Sequence, residues 1–233
     1  MVVSHQSERI NAFVPSFVPN DKAERINAFP TENDLLARNI PEITEKIKKQ
    51  KVAIAGLGGL GSNIAVMLAR IGIGKLFLVD FDTVEASNLN RQHYNVTHIG
   101  LPKTEALQNQ LALINPFVEI ETKNIKITEE NAGEIFAGYH IVCEAFDNPK
   151  YKAILVNALL EKGDIKIVAA SGMAGFDSAN NIKTVRHFQN LYICGDAVPA
   201  NEGGIGLMAP RVCLCAAHQA TMVLRLMLGV VNS

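Results

Sequence analysis

Apolar residues Leu35, Leu36, Ile40, Ile43 and Ile47 recur at helical spacing across residues 31–49, with Pro41 marking a break. After them the chain alternates short β-branched runs with amphipathic stretches. The pattern predicts strands at 51–55, 75–80, 117–122, 139–145 and 165–170. It predicts helices at 59–71, 103–114 and 149–161, and a short one near Glu130. Strand–helix–strand alternation needs right-handed crossovers, so the expected fold is α/β and Rossmann-like, a mainly parallel sheet with helices on both faces.

Beyond Ser171 this regularity stops. Residues 172–206 are rich in Gly, Asn and Asp, with one further strand predicted at 182–187 and a final helix at 210–228. A long glycine-rich crossover inside a compact domain is expected to act as a binding loop or lid. At the other end the hexapeptide ERINAF occurs at 8–13 and again at 24–29, two copies too short and too few for a stacking repeat. Residues 1–30 are therefore read as an N-terminal arm and 31–233 as one domain.

Composition narrows the function classes. A 233-residue chain with 48% apolar residues can bury one sizeable core. Its formal net charge of −1 supplies no global positive field for nucleic acid or an anionic membrane, so neither is expected as a partner. The start of the chain lacks an apolar stretch of signal-peptide type, and the most apolar region, 64–79, is interrupted by Arg70 and Lys75. The expectation is a cytoplasmic protein. Four cysteines, Cys143, Cys194, Cys213 and Cys215, make no disulfide framework and are expected as thiols.

The strongest local signal is Gly56-Leu57-Gly58-Gly59-Leu60-Gly61, placed after the first predicted strand and opening the first helix. Glycines there allow a tight turn, close backbone approach to a phosphate and helix-on-strand packing, while the helix N-terminus offers free N–H groups. Asp80 ends the second strand, nineteen residues past Gly61, where a carboxylate accepts from ribose hydroxyls. So far NAD and ATP fit equally. Arg91 and Lys103 then place two cations on the phosphate side, which a triphosphate undergoing substitution needs more than a dinucleotide does. Asp147, after the fourth strand, is placed to serve Mg²⁺. The competing reading of its surroundings is helix capping by Asn148 with Pro149 at the first helical position.

Together Gly56 to Gly61, Asp80, Arg91, Lys103 and Asp147 resemble the family of ThiF, MoeB and the ubiquitin-activating enzymes. The resemblance covers residues 38–228, most specifically LVDFDTVEASNLNRQ at 78–92 and GLPK at 100–103. SGMAG at 171–175 and GLMAPRV at 206–212 are similar to the shorter form that activates the thiazole sulfur carrier of thiamin biosynthesis. The resemblance implies ATP and Mg²⁺ as cofactors. The residues matching Asp80 bind ribose, those matching Arg91 and Lys103 bind phosphates, that matching Asp147 serves Mg²⁺, and Asn88 and Gln92 assist.

The same resemblance implies adenylation of the C-terminal glycine carboxylate of a ubiquitin-like sulfur-carrier protein ending in Gly-Gly, by a homodimer. Arg38 is the candidate for an arginine lent to the partner subunit's site. Cys194, the one cysteine in a predicted loop, is the candidate for a covalent step after adenylation, against the alternative of a buried, inert thiol. Zinc is not expected, because no C-x-x-C pair is present and Cys213 and Cys215 would point to opposite sides of a helix. Three alternatives stay open: a relative acting on a molybdopterin carrier, one acting on a tRNA nucleoside, and a nicotinamide-binding oxidoreductase or sensor.

Overall fold

The computed structural model describes residues 30–198 and 206–232. The expected N-terminal arm, with both ERINAF copies, lies outside the described residues apart from Pro30. Two short helices, α1 (Glu32–Leu36) and α2 (Pro41–Ile47), lead into β1 (Lys51–Ala55). Then follow α3 (Gly59–Arg70), β2 (Lys75–Asp80), α4 (Lys103–Ile114), β3 (Glu119–Asn124), α5 (Ala132–Ile135) and β4 (Ile141–Glu144). The chain ends with α6 (Pro149–Lys162), β5 (Lys166–Ala170), β6 (Lys183–Phe188), β7 (Leu191–Gly195) and α7 (Ala209–Met227). Pro41 does break the first helical stretch, and Thr31 starts it through a capping box with Asp34.

One seven-stranded sheet runs in the order β3-β2-β1-β4-β5-β7-β6. All neighbours are parallel except β6 and β7, so the expected mainly parallel sheet is observed. Central strands are buried on both faces, which is why VAIA and IVAA read as continuous apolar runs rather than alternating ones. Helices cover both faces. On one, Ile54 and Leu78 of the strands share a core with Leu107 of α4 and Val223 of α7; on the other, Phe77 of β2 shares a core with Phe136, at the end of α5, and with Leu155 and Leu159 of α6. No helix among the described residues is long and apolar enough to cross a membrane.

β1 lies between β2 and β4, so the chain leaves β1 towards one side of the sheet and β4 towards the other. The connections diverge there and open a crevice at the carboxyl ends of the strands.

Two departures from the sequence-based reading matter. β3 starts two residues later than predicted, because Asn115 turns the chain: its amide donates to Ala69 O at 2.8 Å and its carbonyl accepts from Phe117 N at 3.1 Å. More consequentially, the glycine-rich stretch is not simply a loop. It contains β7, a buried strand between β5 and the edge strand β6. Cys194 therefore sits in a strand, not in a loop.

Candidate functional site

A cavity of about 620 Å³ occupies the crevice, a size that suits a nucleotide-scale ligand. Its floor is the turn after β1. Gly56 has φ +90°, and a Cβ there would stand 2.9 Å from Ala145 O. At Gly61 a Cβ would stand 1.8 Å from Gly56 O, so this glycine lets α3 pack directly on its own entry turn. Gly56, Gly58 and Gly59 line the cavity, whereas Gly61 shapes it from behind.

Asp80 is buried at the tip of β2 and lines the cavity. Its carboxylate accepts from Leu57 N at 2.5 Å and from Asp82 N at 2.8 Å, tying the glycine turn to β2. Burial pushes its pKa above the usual carboxylate value, opposed by the Lys103 ammonium and those two N–H donors. Tyr94 holds the same turn from the other side, donating to Leu57 O at 2.8 Å. Lys103, at the start of α4, is buried and aimed into the cavity by an ion pair with Asp82 at 2.8 Å.

Arg91 lies across the entry of α3, its stem beside Gly59 and its guanidinium donating to Ser87 O at 3.3 Å and Asn90 Oδ1 at 2.8 Å. Its neighbour Gln92 is 8% exposed, lines the cavity, and keeps a buried Oε1 without a partner. Such an acceptor fits a site built for a ligand with donors to offer. Asp147 stands exposed on the rim opposite. The capping reading of its neighbours also holds, since Asn148 Oδ1 accepts from Lys150 N at 2.9 Å and Pro149 opens α6. These two roles belong to different residues and coexist.

Not every candidate reaches the cavity. Asn88 spends its side chain locally, accepting from Glu85 N at 3.1 Å in a short 3₁₀ turn, and does not line the cavity. Arg38 is exposed after α1 and does not line this chain's cavity either. Cys194 lies in strand β7, not in the loop expected for it. It is fully buried against Thr184, its thiol is pushed up to about 11 by desolvation, and it does not line the cavity. A protonated, enclosed sulfur is a poor nucleophile.

A family model described as the ThiF family matches residues 31–233. The chain belongs to the ThiF family. Among its curated relatives, the adenylyltransferase and sulfurtransferase UBA4 of Candida glabrata is 32% identical over 198 residues, covering 81% of this chain and 45% of that protein. The molybdopterin-synthase adenylyltransferase of Haemophilus influenzae is 34% identical over 200 residues, covering 80% of this chain and 78% of that protein. The chain thus spans less than half the length of the yeast relative. Among solved structures, E. coli tRNA N6-threonylcarbamoyladenosine dehydratase, TcdA, in complex with ATP superposes with a TM-score of 0.75 at 21% identity, covering 84% of this chain and 92% of that one. At that identity the likeness establishes the fold.

Several residues of this ThiF-family site escaped the sequence reading. Asp82 and Tyr94 carry signals only once their partners are known. Glu144 is fully buried and ion-paired with Lys152, which lines the cavity; its carbonyl also accepts from Gln219 at 3.1 Å. Burial pushes the Glu144 carboxyl up, with the Lys152 ammonium opposing. Lys126 places its ammonium 5.4 Å from the Phe81 ring and 4.9 Å from the Tyr151 ring, three residues that together form an aromatic and cationic wall of the cavity.

Proposed function

We propose that the chain uses ATP to adenylate the C-terminal glycine carboxylate of a ubiquitin-like sulfur-carrier protein ending in Gly-Gly. The observation that carries this reading is convergence: the glycine turn, Asp80, Lys103, Arg91, Gln92 and Asp147 line one cavity at the switch point of the sheet. Names of the matched relatives support the same class, one being an adenylyltransferase and sulfurtransferase and another a molybdopterin-synthase adenylyltransferase. A nicotinamide-dependent role would leave the two cations and Asp147 without work.

In the proposed reaction a carboxylate oxygen attacks the α-phosphorus of ATP, the bond to the bridging oxygen breaks, and pyrophosphate leaves with its electron pair. Adenylation by a carboxylate needs no general base, so catalysis is positioning plus charge stabilisation. Asp80 takes the ribose hydroxyls and the Phe81, Lys126 and Tyr151 wall takes the base. The α3 N-terminus and Arg91 hold phosphate oxygens, and Lys103 neutralises charge on the leaving group.

Among the described residues no group of three or more His, Cys, Asp or Glu forms a metal cage. Exposed Asp147 nevertheless fits Mg²⁺, which keeps several waters and takes one or two carboxylates with phosphate oxygens. Bound there, the ion would neutralise phosphate charge. Thiamin thiazole biosynthesis is the setting this reading favours, from the SGMAG and GLMAPRV segments. A homodimer lending Arg38 to the neighbouring site, working in the cytoplasm, completes it.

The deciding experiment is ATP–pyrophosphate exchange with Mg²⁺ across a panel of carriers, one of thiazole type and one of molybdopterin type. Exchange that appears only with a carrier is expected. Nucleotide binding without exchange on any carrier would sink the proposal.

A further inference from the structure

Arg211 stands in the first turn of α7 and is 4% exposed. Two effects disfavour a cation there: burial removes its hydration, and the helix N-terminus carries positive partial charge. The chain meets both with acceptors drawn from separate segments. One guanidinium nitrogen donates to Asp177 O at 2.6 Å and Ser178 O at 3.0 Å, and the other pairs with the buried carboxylate of Asp196. Asp196 in turn accepts from Val198 N at 2.9 Å.

The pair cinches a crossing of two strand ends. Asp196 N donates to Gly172 O and Ala197 N to Ser171 O. The contact is so close that a Cβ at Gly172 would stand 2.1 Å from Asp196 Oδ1, and one at Gly195 would stand 1.9 Å from Ser171 O. The residues fixed by this crossing, Ser171, Gly172, Ala197 and Val198, line the cavity on the side away from Asp80 and Lys103.

The next residue along α7 makes the connection to the other side. Val212 lines the cavity and packs on the phosphate turn, 2.9 Å from where a Cβ of Gly59 would stand. Just before the helix, Leu207 O accepts from Asn90, the neighbour of Arg91. One turn of helix thus sets the spacing between the phosphate wall and the wall facing it.

We infer that Arg211 and Asp196 are a positioning pair that holds the acyl-side wall at the distance from Arg91 and Gly59 that a carboxylate bonded to the α-phosphate requires. This rests on the adenylation reading and deepens it. Neither residue lines the cavity, so their effect is confined to a ligand that spans both walls.

The probes are ATP, AMP and glycylglycyl-sulfamoyl-adenosine, a stable mimic of the acyl-adenylate, titrated calorimetrically against the full chain. For Asp196→Asn and Arg211→Met we expect the mimic to weaken roughly tenfold or more while ATP stays within about twofold, and Arg211→Lys to recover part of the loss. Asp196→Asn is isosteric and keeps an acceptor for Val198 N, so it carries the test if Arg211→Met does not fold. A folded variant with unchanged mimic affinity overturns the inference, as does an equal loss for ATP and mimic. Wild-type chain that binds the mimic no more tightly than AMP overturns the adenylation reading beneath it, and that outcome is read before any variant is made.

Discussion

The two walls of the cavity are built in opposite ways. The phosphate wall comes from one continuous stretch of sequence, residues 56–103. The facing wall comes from the ends of β5 and β7 and the start of α7, three places spread over residues 170–212. The first wall works through charge and through glycines at fixed offsets, which demand particular residue types. The second presents mostly small or apolar residues and main chain to the cavity, with the buried Arg211–Asp196 pair behind them. One wall is written in motifs and the other in topology.

By that contrast, the phosphate wall is fragile in activity and robust in fold. Arg91→Ala should lower carrier-dependent exchange by about 10²–10³ while the thermal midpoint stays put, since the guanidinium bonds only to nearby loop atoms. Gly61→Ala should blur the contrast by attacking the fold of the same wall. Its Cβ would overlap Gly56 O, so a stability loss of about 1–3 kcal/mol in urea unfolding should accompany weaker nucleotide binding.

Behind the other wall, in strand β7, the sign of a pH effect separates structure from chemistry. The folded-state pKa of Cys194 lies at about 11, above its ordinary 9.0, so the neutral thiol is the form the fold prefers. Its contribution to stability is therefore complete below pH 9 and is lost as pH rises through about 11. Cys194→Ala should flatten that decline in an unfolding series from pH 8 to 11 and leave exchange unchanged; a collapse of exchange would restore a covalent role. The smallest effect is expected at Asn88→Ala. Losing a turn cap should cost about 0.5–1 kcal/mol, with exchange altered less than about twofold.

Legibility followed the same divide. β1, β2 and α4 begin and end where the apolar pattern puts them, because a buried parallel strand is a continuous apolar run and Pro102 or Asp80 marks the boundary. Gly56, Gly58, Gly59, Asp80, Arg91, Gln92, Lys103 and Asp147 all reach the cavity as placed from sequence. β7 was hidden inside a stretch whose glycines and asparagines suggest a loop, although Leu191, Tyr192 and Cys194 are buried. Asn88 looked like a ligand residue because it shares a segment with Arg91, yet adjacency in sequence does not set side-chain direction. Asp82 and Arg211 lie inside segments that carry the resemblance, and Glu144 does not, yet none had a role assigned, since a single charged residue means little until its partner is known.

The sequence by itself determined the alternation of elements, the position of the phosphate turn and the charged residues around it, because each is marked by residue type at a fixed offset from a strand or helix end. Tertiary structure alone decided that β7 threads between β5 and β6, that Cys194 is enclosed, and that Arg211 reaches Asp196 and the carbonyls of Asp177 and Ser178. Those outcomes depend on which distant segments share the low-dielectric interior. There an unpaired charge is costly and a paired one is held in place.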